Sequence, residues 1–269
     1  MNREEFDYLL QKDAKSPLLA PYRMDNAIIM AAGFSSRFRP LSDICPKSLM
    51  PVKGEPLMER QIRQLQEAEI ENIYVVVGYK KELFYPLEDK FGVHIIENPE
   101  YDIKNNISTL YTVRNYLGNT YICSSDNYFP ENPFASHEFC GYYSACYADG
   151  ETAEYCLTAN EEGRIIDVKI GGQDSWFMCG HACFNQEFSK KFTSFLESDY
   201  TLPGREDYYW ENLYMDHLDD LNLKIKKFPS GKIQEFDTLE ELKTFDDFYA
   251  KQTEDEIITY LKTIYPKAD

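Results

Sequence analysis

The chain has 269 residues, 43% of them hydrophobic and 15% aromatic, which is enough to bury a sizeable core and too apolar for general disorder. Acidic residues outnumber basic ones 46 to 28, a net charge of −18, which excludes a general nucleic-acid binder because a phosphate backbone needs a basic stripe. No apolar run approaches the roughly 18 residues of a membrane span, and the acidic start MNREEFDYLL lacks the basic-then-apolar layout of a signal peptide.

Residues 1–12 carry Phe6, Leu9 and Leu10 at helical spacing, and a connector broken by Pro17 and Pro21 follows. Residues 1–25 therefore read as a helical arm and linker, used for packing or for contact in a homodimer. From Asn26 the pattern alternates: strand 27–31, loop 32–54, helix 56–69 with Leu57, Ile62, Leu65 and Ala68 inward, and strand 72–77. Helix 79–90, strand 92–96, helix 107–117 and strand 119–123 continue it. This is the pattern of an α/β fold, a Rossmann-like and mostly parallel sheet flanked by helices. The second half is a smaller, aromatic-rich part, with strands at 140–148, 153–159, 163–170 and 175–184. Helix 186–197, an acidic and aromatic helix 204–219, strand 222–228 and helices 238–249 and 253–264 complete the chain. The main domain is expected to span 26–250, with a C-terminal helix, 251–269, packed on it. Seven scattered cysteines without framework spacing suggest reduced thiols in a cytoplasmic protein. Cys179 and Cys183 flank His181 in an apolar run, a poor zinc site and a better structural one.

The stretch AIIMAAGFSSRFRPLSDICPKSLMPV, residues 27–52, is locally basic in an acidic chain. In a parallel α/β sheet, ligands sit where strands end and loops expose backbone N–H groups. Ala31, Ala32 and Gly33 stand at such an end, and their small side chains let a flat base or a phosphate approach the backbone. Ser35 and Ser36 add hydroxyl donors. No glycine precedes Lys47-Ser48 as a P-loop requires, and only Gly33 of the dinucleotide fingerprint's three glycines is present. The remaining pattern, a Gly turn followed by Arg37, Pro40, Pro46-Lys47 and Pro51-Val52, resembles the signature loop of the sugar-phosphate nucleotidyltransferases. Ser35 departs from that family, which has a second glycine there.

The resemblance implies in-line attack by a phosphate oxygen on the α-phosphorus of a nucleoside triphosphate, with pyrophosphate leaving. All partners are anionic, so positioning and neutralisation dominate, and Arg37 and Lys47 are the expected catalytic cations. Arg39 reads better as a solvated loop residue. The same likeness makes Asp126 and Asp237 ligands of Mg²⁺, a hard cation that takes carboxylate, phosphate and water oxygens. By itself Asp237 also reads as an N-cap of helix 238–249. Asn127 is placed to coordinate or to position substrate. Asn98, Asn105, Asn106 and Ser108 fall in the segment that reads the nucleobase in the family; apart from that likeness they read as a capping loop.

In the second half, GREDYYWENLYMD puts Asp207, Trp210 and Glu211 at i, i+3 and i+4, one face of a helix. Aromatic faces beside carboxylates suit a quaternary ammonium. From Ala27 to Phe248 the chain resembles bacterial CTP:phosphocholine cytidylyltransferases, through NNISTLY, SSDNY, DYYWEN and QEFDT. That resemblance puts Tyr155, Tyr209, Trp210 and Glu211 in a choline pocket, with CTP and phosphocholine as the partners. Tyr155 for tryptophan and Glu211 for aspartate are departures, and they leave phosphoethanolamine, 2-aminoethylphosphonate and sugar phosphates open as acceptors. A primary amine would call on Asp207 and Glu211 more than on aromatic faces. The alternatives are core packing for the aromatic residues and, for the chain, a non-catalytic nucleotide-binding regulator; retention of Arg37, Lys47, Asp126 and Asp237 together argues against the latter.

Overall fold

The computed structural model describes residues 1–266; the last three residues of the expected C-terminal helix lie outside the described residues. In chain order the elements are α1 (Arg3–Lys12), β1 (Asn26–Ala31), β2 (Pro51–Val52), β3 (Glu55–Pro56), α2 (Leu57–Glu67), β4 (Ile73–Val77), α3 (Pro86–Phe91), β5 (His94–Glu97), α4 (Ile107–Thr112) and β6 (Thr120–Ser124). There follow β7 (Asn127–Tyr128), β8 (Tyr142–Tyr147), β9 (Glu151–Ala159), β10 (Ile165–Gln173), β11 (Trp176–Phe184), α5 (Gln186–Asp199), α6 (Trp210–Asp216), β12 (Lys224–Lys227) and β13 (Gln234–Glu235). The chain closes with α7 (Leu239–Phe245), α8 (Asp247–Ala250) and α9 (Glu254–Ile264).

One mixed sheet runs β10-β9-β11-β6-β1-β4-β5, with β8 paired to β11 and β12. Strands β6, β1, β4 and β5 are parallel neighbours, and β11 turns the sheet antiparallel beside β6. Ile28, Ile29, Val75 and Val76 are fully buried, as near-continuous apolar strands covered on both faces must be. Helix α2 turns Leu57, Ile62 and Leu65 inward at helical spacing, as its sequence requires. The arm is tied down through Phe6, which packs on Tyr22 and Phe139, and α9 buries Ile257 and Leu261 against the loop that contains Phe38 and Leu41. All seven cysteines are free, and among the described residues no helix is long and apolar enough to cross a membrane.

Four expected helices differ in extent. Pro86 lacks an N–H and starts α3, so 79–90 is a turn at Lys81–Leu83 followed by a short helix. Helix 107–117 stops at Thr112 and tightens into a turn at Arg114–Tyr116. Asp246 splits 238–249: its carboxylate accepts from Phe248 N and Lys53 N, which starts α8 afresh. Helix 204–219 shrinks to α6, because Gly204 has φ +82° and the backbone of 206–208 bonds to the loop at 105–107.

His181 lies fully buried among the rings of Tyr121, Phe129, Phe134 and Tyr142, with both ring nitrogens unpartnered. Burial, aided by Lys226, depresses its pKa from 6.5 to about 3. The unfolded chain takes up this proton near pH 6.5 and the folded chain does not, so the contribution is complete above that pH and is lost as pH falls. At pH 5 the loss is about 2 kcal/mol. Urea titrations at pH 7 and pH 5 should therefore show a smaller difference for His181→Phe than for the parent. Equal differences would mean that His181 is not held neutral.

Candidate active site

The ends of β1 and β6 open onto a polar cavity of about 350 Å³. Ala31, Ala32, Gly33, Ser35 and Ser36 form one wall, with Arg37 and Lys47 behind them. Gly33 has open space where a Cβ would stand, and the residue faces the cavity. Packing of the loop therefore does not require its small size. Gly33→Ala should leave the unfolding midpoint unchanged while raising the KM for the nucleotide several-fold; an unchanged KM would remove backbone approach from the loop's role. Ser35 adopts φ 50°, ψ 40°, the left-handed conformation in which glycine costs least. Its Oγ accepts from the backbone N–H of Lys47 at 3.4 Å, so this departure from the signature ties the loop to the lysine.

Lys47 leads a one-turn helix after Pro46 and is almost fully buried. Its Nζ lies 2.9 Å from Asp126 Oδ2 and 3.3 Å from Asp237 Oδ1. Burial works against its charge, but Asp126, Asp237 and Glu235 outweigh that and raise its pKa. Arg37 grips Asp237 with both terminal nitrogens at 2.9 Å, a fork-on-carboxylate geometry that a lysine cannot reproduce. Thr238, not Asp237, is the N-cap of α7, through a capping box with Glu241. The Asp237 carboxylate is thereby left to the two cations.

Antiparallel pairing of β13 with β7 sets Glu235 opposite Asn127 and brings the 235–237 segment beside Asp126. Asp126, Glu235 and Asp237 each offer an oxygen, all within 4.8 Å of one another. Glu235 was not anticipated. Burial of its carboxyl in the cleft, then Asp126 and Asp237, hold it well above the usual range, although the residue as a whole is exposed on the cavity. Asp126 Oδ1 is buried and has no hydrogen-bond partner. Three hard oxygen donors with one coordination-ready atom fit a divalent cation such as Mg²⁺.

Asn98, Asn105, Asn106 and Ser108 line the cavity, but their side chains are largely engaged. Asn98 Nδ2 donates to Ser108 Oγ at 2.8 Å, and Asn98 Oδ1 accepts from Glu100 N. Ser108 Oγ donates to Asn105 O, and Asn105 Nδ2 reaches Asp207 O at 3.4 Å. Tyr101, also unanticipated, lines the cavity over Gly78, where any Cβ would overlap its ring.

The acceptor residues separate. Tyr209 is exposed and on the cavity wall. Tyr155 is half-buried on β9, hydrogen-bonded to Asn212 and electrostatically close to Glu211, Tyr209 and Glu154. Glu211 is buried, takes 2.9 Å from Tyr143 OH, and is pushed up to about 7 by burial. Three placements need correction. Asp207 lies in the turn before α6, so it shares no helical face with Trp210 and Glu211. Trp210 is 1% exposed, stacked on Tyr143 and edge-on to Phe184 and Phe192: it is core. Asn127 is fully buried beneath the site, outside the cavity lining, because β7 turns it inward.

The profile of the MobA-like NTP transferase domain matches residues 27–137. The 2-aminoethylphosphonate cytidylyltransferase of Lancefieldella rimae is 36% identical over 83% of this chain and 93% of its own length. The choline-phosphate cytidylyltransferase of Streptococcus pneumoniae is 30% identical over 82% of this chain and 96% of its own. A solved structure of the CTP:phosphocholine cytidylyltransferase from Streptococcus pneumoniae superposes with a TM-score of 0.81 at 30% identity, covering 84% of this chain and 99% of that one. Two relatives at 30% identity or more, each matched over more than four fifths of this chain, show the family: the chain belongs to the nucleotidyltransferases and is an enzyme of the cytidylyltransferase type.

Proposed function

We propose that the enzyme transfers CMP from CTP to the phosphoryl or phosphonyl oxygen of a small amino compound, 2-aminoethylphosphonate or phosphocholine, releasing pyrophosphate. The observation that carries this is the arrangement of Lys47 and Arg37 on Asp126 and Asp237, at the mouth of a backbone-lined cavity. An acceptor oxygen attacks the α-phosphorus of CTP; the new P–O bond forms as the bond to the bridging oxygen breaks, and the electron pair leaves on pyrophosphate. Arg37 and Lys47 neutralise charge on the phosphates, and the Ala31–Ser36 loop orients them through its backbone. Asp126, Asp237 and Glu235 would hold Mg²⁺, which supplies further charge neutralisation on phosphate oxygens when bound. Lys47 and Arg37 balance Asp126 and Asp237, while burial and those two carboxylates hold the third carboxyl, Glu235, above the usual range; a divalent ion would let it ionise beside them.

For the acceptor's ammonium, Tyr155, Tyr209 and Glu154 are the groups at hand; Glu154 lies within electrostatic reach of Asp237 and Arg37. Burial of Trp210 removes one aromatic face from a choline cage and favours the primary amine of 2-aminoethylphosphonate. The fold match to the phosphocholine enzyme supports phosphocholine as the second reading. The seven free cysteines suit a cytoplasmic setting.

Pyrophosphate release with four nucleoside triphosphates crossed against 2-aminoethylphosphonate, phosphocholine, phosphoethanolamine and glucose-1-phosphate tests the proposal. The highest kcat/KM is expected with CTP and 2-aminoethylphosphonate. Preference for phosphocholine selects the second reading, and preference for the sugar phosphate overturns both.

A further inference from the structure

Asn106 lines the nucleotide cavity, yet its side chain is turned to the other half of the site. Its Oδ1 accepts from the backbone N–H of Trp210 at 2.7 Å, where α6 begins. Its Nδ2 lies 3.5 Å from Glu211 Oε2. The other oxygen of Glu211 is held by Tyr143 OH at 2.9 Å, and the Tyr143 ring stacks on Trp210. Backbone bonds reinforce the joint: Asn105 N donates to Glu206 O at 2.9 Å and Ile107 N to Tyr208 O at 3.4 Å. Tyr209, the exposed aromatic residue of the acceptor end, therefore stands between two points fixed by this loop.

The first N–H groups of a helix have no partner within it, and α6 lacks the usual Ser, Thr, Asp or Asn at its start. Asn212 of α6 itself takes the Tyr209 N–H at 2.9 Å, and Asn106, 104 residues away in sequence, takes the next one, that of Trp210. With its oxygen on the Trp210 N–H and one N–H toward the buried Glu211, the amide is oriented by the acceptor half of the site, and its strongest bond is made there.

We propose that Asn106 is a positioning residue for the acceptor, acting through the start of α6 on Tyr209 and Glu211, and not a reader of the nucleobase. This rests on the acceptor reading above, since it assigns the Tyr209 end of the cavity to the ammonium-bearing substrate. It also gives the shared loop a purpose, because the segment that borders the nucleotide holds the acceptor wall in register with it.

The full-length chain carrying Asn106→Ala or Asn106→Asp separates the possibilities. Steady-state kinetics should show the acceptor KM raised on the order of tenfold in Asn106→Ala, the CTP KM within about twofold of the parent, and the CTP-to-UTP preference unchanged. Asn106→Asp keeps an oxygen for the Trp210 N–H but sets a second carboxyl against Glu211, so hydrogen exchange over residues 210–216 should stay slow in it at pH 5, where that pair can share a proton, and accelerate on the order of tenfold in Asn106→Ala at the same pH. Calorimetry with CTP alone should give the same affinity for all three proteins. A loss of CTP affinity or of base preference with the acceptor KM unchanged would overturn the proposal, as would α6 exchange that does not respond to Asn106→Ala. The exchange and CTP measurements need no acceptor. If they come out as expected while no aminoalkyl phosphate or phosphonate is turned over, the acceptor reading has failed and the positioning of α6 by Asn106 stands.

Discussion

Asp126→Ala and Asp237→Ala should each lower turnover by on the order of 100-fold or more while leaving the unfolding midpoint nearly where it was. The small stability cost follows from redundancy. Without Asp237, Lys47 still has Asp126 at 2.9 Å, and Arg37, 69% exposed, turns to water. Without Asp126, Lys47 keeps Asp237 at 3.3 Å. No buried charge is left alone in either case, and exposed ion pairs contribute little. The catalytic cost has no such cover, because two of the three clustered carboxylates cannot present the oxygens of three. Turnover measured across a Mg²⁺ titration adds a second readout: both variants should need more metal for half-maximal rate than the parent. Near-normal turnover and an unchanged metal requirement in Asp237→Ala would leave that residue as an anchor for Arg37 and sink the shared carboxylate site.

Much of this cleft is legible in the amino-acid sequence because local rules set it. Apolar strand, small-residue turn and trailing cations put Ala31, Gly33, Arg37 and Lys47 at a strand end, where a parallel sheet exposes its ligand site. Asp126 follows β6 for the same reason. Pro86 could have been read as the start of α3, since a proline ends any helix that runs into it. Glu235 carried a weaker signal: with Asp237 it lies at i and i+2, the spacing that puts two side chains on one face of extended chain. What hid it is the pairing of β13 with β7, which joins segments more than a hundred residues apart and has no local pattern. Asn105 and Asn106 carry a signal of the opposite kind: their residue types suit base recognition, while the entry to α6, which takes up part of their hydrogen bonding, is near only in space.

Trp210 is where sequence pattern and structure part most widely, and the energetic consequence is large. Trp210→Ala should destabilise the fold by about 3–5 kcal/mol, the usual cost of emptying a large buried aromatic site. The residue is 1% exposed, with Tyr143 stacked at 5.4 Å between ring centroids and Phe184 edge-on at 5.2 Å, so little around it can collapse into the space. Trp210→Phe should cost much less. It preserves an aromatic face, and it gives up no hydrogen bond, because the indole Nε1 is buried without a partner. Urea titrations would show the alanine midpoint far below that of the parent, with the slope unchanged, and the phenylalanine midpoint between them. Kinetics at a temperature where each variant remains folded should then find the CTP and acceptor requirements of Trp210→Phe close to those of the parent. A cage residue would behave in the reverse way: stability would hold in Trp210→Ala, and its acceptor KM alone would climb by on the order of tenfold, the worth of one cation–π face. That outcome would mean that α6 opens when the acceptor binds, bringing Trp210 out of the core and onto the ammonium.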